Sequence, residues 1–184
     1  AGLPFWLSAV LTLILSALLG LAMYWWVYLP LQKRGASNVI LLIASIGLLI
    51  FFQNMVQLVY GADIKTIGYI KVARGVDVLG AVVTPLQIFI IISSVVLLAL
   101  LHLFMKKTRL GRDVRAVSDN KELAGIMGIS HVKIAVCSFV IGSFLAGVAG
   151  ILIGLEQNLE PAMGTSLMVR GFTGAVIGGV NSVP

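Results

Sequence analysis

The sequence predicts an all-α integral membrane protein, a polytopic bundle of transmembrane helices. Its 184 residues are 59% apolar and only 11% charged, with a mean hydropathy of +1.07, which lies well outside the composition of an ordinary water-soluble domain. The apolar residues fall in runs near the roughly 20-residue helical length that crosses a bilayer core. The charged residues lie between those runs, so the net charge of +6 describes loops rather than a basic face, and no nucleic-acid partner is expected.

The first run, 5–28, has no basic segment before it and exceeds the roughly 7 to 15 residue apolar core of a signal peptide, so it is a span. Pro30 is expected to end that helix. Further spans are expected at 39–60, 86–105 and 134–155, and a fifth at 166–184. The chain opens without an initiator Met and stops in a Gly-rich apolar run, which predicts a fragment: one transmembrane domain over 1–184, with about five spans and incomplete at both ends. Trp6, Tyr24, Trp25, Trp26, Tyr28, Tyr60 and Tyr69 fall near span ends, where aromatic belts form.

Charge orients the bundle. The loops after the first and third spans carry Lys33, Arg34, Lys106, Lys107, Arg109, Arg112, Arg115, Lys121 and Lys133 against Asp113, Asp119 and Glu122, nine bases to three acids. The opposite side, counting the start of the last span, carries Lys65, Lys71, Arg74 and Arg170 against Asp63, Asp77, Glu156 and Glu160 and is neutral. The positive-inside rule places the base-rich side in the cytoplasm.

The span interiors hold almost no ionisable group, whereas a carrier driven by an ion gradient needs one to bind the coupling ion. His102 sits within a turn of the cytoplasmic end of its span and is expected to snorkel, and the lone Cys137 allows no intrachain disulfide. Ser138, Gly142, Ala146, Gly150 and Gly154 place a small residue at every fourth position of the fourth span, the pattern of a close helix-packing face; Gly174 and Gly178 repeat it.

The loop 106–133 is not a structureless linker. Residues 109–117 form one short helical piece, and Asp119 with Glu122 three residues later offers a capping box for the next. Gly128 is placed to stop that helix in the left-handed region, leaving Leu123, Ile126 and Met127 as one apolar stripe. A helix of about eight residues is marginal in water and needs a surface, either anionic lipid headgroups or the groove of a cytoplasmic partner.

The run Gly111, Arg112, Asp113, Val114, Arg115, Ala116, followed by Asn120, Ala124, Gly128 and Ile129, resembles the cytoplasmic loop of permease subunits of bacterial ABC importers, most closely those for branched-chain amino acids. Tyr28-Leu29-Pro30-Leu31 with Lys33 to Ser37 resembles that family's "YRPLR" loop, with Leu29 in place of Arg. Ile43-Ala44-Ser45-Ile46-Gly47, Gln53-Asn54, Pro161, Gly164, Gly171-Phe172-Thr173 and Gly178 to Ser182 resemble later family segments in the family's order. The "NFAHG"-like N-terminal part and the C-terminal membrane segment have no counterpart, and permeases for urea and short-chain amides share the loop pattern. The resemblance implies an inner-membrane permease subunit with Gly111, Arg112, Arg115, Ala116, Asn120, Leu123, Ala124, Ile126, Met127 and Gly128 in a loop that couples it to cytoplasmic ATP-binding subunits. It also implies a second permease subunit and a periplasmic substrate-binding protein.

The chain has no G-x-x-x-x-G-K-[ST] phosphate loop, no metal-ligand spacing and no catalytic triad, so it is expected not to be an enzyme by itself. No cofactor is expected here; ATP and Mg²⁺ belong to the partner. Asn54 and Gln57 on the second span, and Glu156, Glu160 and Arg170 in the stretch 156–170, are candidates for the substrate path. Arg170 suits a substrate carboxylate and the two Glu residues an ammonium; bundle-facing hydrogen bonds are the alternative for Asn54 and Gln57.

Overall fold

The computed structural model describes residues 4–61, 63, 76–78, 81–160 and 163–178. Tyr69, Pro161 and the last six residues of the expected fifth span lie outside them.

The first span is a continuous helical rod: α1 (Phe5–Met23), a π-helical segment (Tyr24–Tyr28) and α2 (Leu29–Lys33). Pro30 does not end it. A proline inside an α-helix collides with the carbonyl four residues back. Here the preceding turn is widened: the Leu29 amide donates to the Tyr24 carbonyl five residues back, and the chain passes Pro30 without breaking. The rod stops at Gly35, whose φ of 71° lets its amide and that of Ala36 close on the Gln32 and Leu31 carbonyls at 3.0 and 3.1 Å.

Two spans follow, α3 (Asn38–Tyr60) and α4 (Pro85–Lys107), with a short antiparallel ladder between them, β1 (Val76–Val78) and β2 (Ala81–Val83), in which Asp77 pairs with Val82. Thr84 starts α4 with a reciprocal capping box: its hydroxyl accepts from the Gln87 amide, and the Gln87 side chain accepts from the Thr84 amide. The base-rich segment is a pair of short helices, α5 (Arg109–Asp119) and α6 (Lys121–Ile126), before α7 (His131–Glu156) and α8 (Met163–Gly178). Four helical stretches among the described residues, 22 to 28 residues each, are long and apolar enough to cross a bilayer.

The rod's main partner is α7, and the contact is close because small residues meet. A Cβ on Gly20 would overlap the Ser143 side chain and lie 3.2 Å from the Phe139 carbonyl; one on Gly147 would overlap the Ser16 hydroxyl. The contact face of α7 is therefore Phe139, Ser143 and Gly147. It lies one position along from the expected small-residue face: Ser138, Gly142, Ala146 and Gly150 face outward, and Gly154 is buried. Ser143 and Gly147 are also small at a four-residue spacing, and they are the pair that α1 meets through Gly20 and Ser16.

The π-helical segment turns Tyr24 and Tyr28 onto Phe139, at ring-centroid distances of 5.2 and 4.7 Å. These two tyrosines pack inside the bundle instead of joining an interfacial belt, and Tyr24 is wholly buried. Trp25 and Trp26, on the other side of the same turn, remain outward at 61% and 82% exposure, as belt residues do. The Tyr28 hydroxyl, 2.7 Å from that of Ser45, links the pair to α3.

Candidate functional site

The candidate site is the folded α5–α6 unit on the base-rich side. Thr108 makes the corner with α4. Its hydroxyl donates to the Phe104 carbonyl at 2.7 Å and accepts from the Gly111 amide at 3.1 Å, so one side chain ends one helix and begins the next. Gly111 is buried against the last turn of α4, where a Cβ would fall on the Met105 carbonyl; any side chain there would push the helices apart. The sequence pattern marks Gly111 as part of the loop, and the structure gives it a packing role.

The cap of α6 is Asn120, not Asp119. Residue 119 closes α5, whose helical bonding persists through it, and the extended backbone at Asn120 aims that side chain at α6. Its Oδ1 accepts from the Leu123 amide at 3.1 Å, and its carbonyl accepts from Ala124 at 3.1 Å. Asn ranks with Asp as a cap, so composition alone does not separate adjacent candidates; the length of α5 does. At the other end Gly128 has φ 81°. The Ile129 amide reaches the Ala124 carbonyl and the Gly128 amide the Gly125 carbonyl, both at 3.0 Å.

Held at both ends, α6 turns Ala124 inward, 2% exposed, and leaves Leu123, Ile126 and Met127 outward at 58%, 82% and 79%. Arg112 and Asn120 are exposed, and Arg115 and Ala116 half-buried. A cavity of about 470 Å³ lies behind α5, walled by Val114, Val117, Ser118, Gln32, His131 and Ile134 among others. The unit therefore rests on α7 with free space beneath part of it.

On the opposite side the polar candidates are scattered. Asn54 donates to the Ile50 carbonyl of its own helix at 2.7 Å, and Gln57 is exposed. Glu156 accepts from Gln87 Nε2 at 3.0 Å, tying the end of α7 to the start of α4. Glu160 is exposed, and Arg170 lies midway along α8, exposed. Among the described residues no ion pair joins Arg170 to either glutamate. Two contacts carry no mark in the sequence reading: Thr165 donates to Gln53 Oε1 at 3.2 Å, joining α8 to α3, and Gln87 serves both a cap and an interhelix bond. The spacing Thr84-Pro85-x-Gln87 was the available signal for the second. Among the described residues no cluster of three or more His, Cys, Asp or Glu is placed to hold a metal.

Among the described residues, four long apolar helices and a capped helix pair on the basic side define a multi-span helical membrane protein. The chain belongs to the family described as the branched-chain amino acid transport system permease component, whose model matches residues 1–184. It is 35% identical over 162 residues to the high-affinity branched-chain amino acid transport system permease protein BraD of Pseudomonas aeruginosa, covering 85% of this chain and 52% of that protein. It is 32% identical over 158 residues to the corresponding protein LivH of Escherichia coli, covering 82% of this chain and 51% of LivH. A probable branched-chain amino acid permease of Methanocaldococcus jannaschii is 28% identical over 181 residues, 97% of this chain and 57% of that protein. The chain thus spans about half the length of the curated relatives it matches. No solved structure matches it.

Proposed function

We propose that this chain is the membrane-spanning part of a permease subunit in an ATP-driven importer that carries branched-chain amino acids across the bacterial inner membrane. The observation that supports this most is α6, where Leu123, Ile126 and Met127 stand outward on a helix fixed at both ends and backed by buried Ala124. Apolar side chains presented in this way gain free energy only when something covers them. On this reading cytoplasmic ATP-binding subunits receive α6, and ATP and Mg²⁺ act there. A second permease subunit covers outward span faces, and a periplasmic binding protein delivers substrate.

The chain's own part is mechanical. Thr108 and Gly111 fix α5 to the end of α4, α5 rests on α7, and α7 packs along α1, so a pull on α6 reaches the spans through rigid elements. Alternation between inward and outward states requires the partner to bind those two states with different affinity. On the external side Arg170 is assigned to a substrate carboxylate and Glu156 and Glu160 to its ammonium, Glu156 being oriented by Gln87.

The test is uptake by the full-length complex in proteoliposomes. ATP-dependent accumulation of leucine, isoleucine or valine is expected. Accumulation of urea or a short-chain amide without any response to those three would reassign the substrate, and transport with no ATP-binding subunit present would make the chain a facilitator.

A further inference from the structure

The corner between α4 and α5 carries charge that no ion pair or hydrogen bond among the described side chains uses. The 23 residues of α4 rise about 34 Å, slightly more than the roughly 30 Å apolar core, which sets its last turn at the headgroup layer. Lys106 and Lys107 occupy that turn, and Arg109 opens α5 just beyond Thr108. All three are exposed, and none is ion-paired with an acid among the described side chains. The nearest acid along the chain, Asp113, lies one turn further along α5, half-buried and not bridged to Arg109.

The corner is rigid. Gly111 lies on the Met105 backbone, and Thr108 is bonded to both helices, so the backbone at Arg109 is held beside the turn that carries Lys106 and Lys107. Leu103 and Leu110, exposed at 45% and 40%, flank the bases with the apolar surface that acyl chains cover. Three cations within four residues, with no acid partner among the described side chains and edged by exposed leucines at the end of a span, match an anionic phospholipid better than an acidic protein surface. The outward apolar stripe of α6 belongs to a separate helix.

We propose that Lys106, Lys107 and Arg109 form a binding site for the headgroup of an anionic phospholipid, which anchors the α4–α5 corner in the membrane plane. The site is independent of what α6 docks on. Surface attraction of this kind is worth about fivefold per base at moderate ionic strength, so three bases favour an anionic over a zwitterionic lipid by tenfold or more after screening.

The experiment uses the complete complex in nanodiscs of equal parts phosphatidylglycerol and phosphatidylcholine, with native mass spectrometry of the lipids retained on the permease during delipidation. Phosphatidylglycerol is expected to be enriched on the wild-type subunit. A K106Q/K107Q/R109Q variant is expected to lose that enrichment by about tenfold, and a K106R/K107R/R109K variant to keep it. Equal enrichment in wild type and the Gln variant overturns the proposal. Unchanged lipid retention with loss of the ATP-binding subunits from the Gln variant overturns it too, and assigns the bases to a protein contact.

Discussion

Replacing Ile126 by Ser tests the docking role of α6 most directly. Ile126 is 82% exposed, so nearly all of its side chain is still available for burial by a partner. Covering an isoleucine stabilises by about 1.5–3 kcal/mol, which puts the share open to docking at about 1–2.5 kcal/mol, a factor of roughly 5 to 70 in Kd. Met127, at 79%, should behave alike, whereas Leu123 starts from 58% and should lose less. Serine differs little from isoleucine in helix propensity, and the Asn120 and Gly128 caps remain, so α6 itself survives the change. Titrating purified ATP-binding subunits against the full permease in nanodiscs gives the Kd of each variant. The expected order of damage is Ile126→Ser and Met127→Ser, then Leu123→Ser. If all three bind within twofold of wild type, the stripe is not a docking surface.

Two further outcomes follow from the packing and the caps. Gly20→Ala should destabilise the α1–α7 pair by about 1–3 kcal/mol through overlap with Ser143, and Ser143→Gly should recover most of that loss in a double-mutant cycle of unfolding in detergent; purely additive effects would refute the close contact. Asn120→Ala should cost α6 about 1 kcal/mol, seen as faster amide hydrogen exchange at Leu123, while Asp119→Ala should leave that exchange nearly unchanged.

Much of the fold is legible in the order of residues because a bilayer imposes a single strong rule, and α3, α4 and α7 begin and end within a few residues of their hydropathy limits. Punctuation in the basic loop is legible for a similar reason. Gly128 stops α6 because only glycine takes its φ of 81° without strain, and that preference is local. Asp119 and Asn120 are locally equivalent caps, so the choice between them waited on how far α5 extends. Pro30 is a helix breaker by local rules, yet the widened turn at Tyr24–Tyr28 carries the rod past it and points two tyrosines at Phe139.

By itself the sequence determined that this chain is a membrane-spanning helical bundle, which side carries the bases, and where a short helix with an apolar stripe would lie. Those properties depend on hydropathy, charge and backbone preference, all summed along the chain. The tertiary structure alone decided that α7 meets α1 through Phe139, Ser143 and Gly147, that Gly111 is needed by the Met105 backbone, and that Ala124 faces in while Ile126 and Met127 face out. Each of these depends on the shape of a distant segment, and one helix with small residues on two faces has no means of choosing between them until its neighbour is in place.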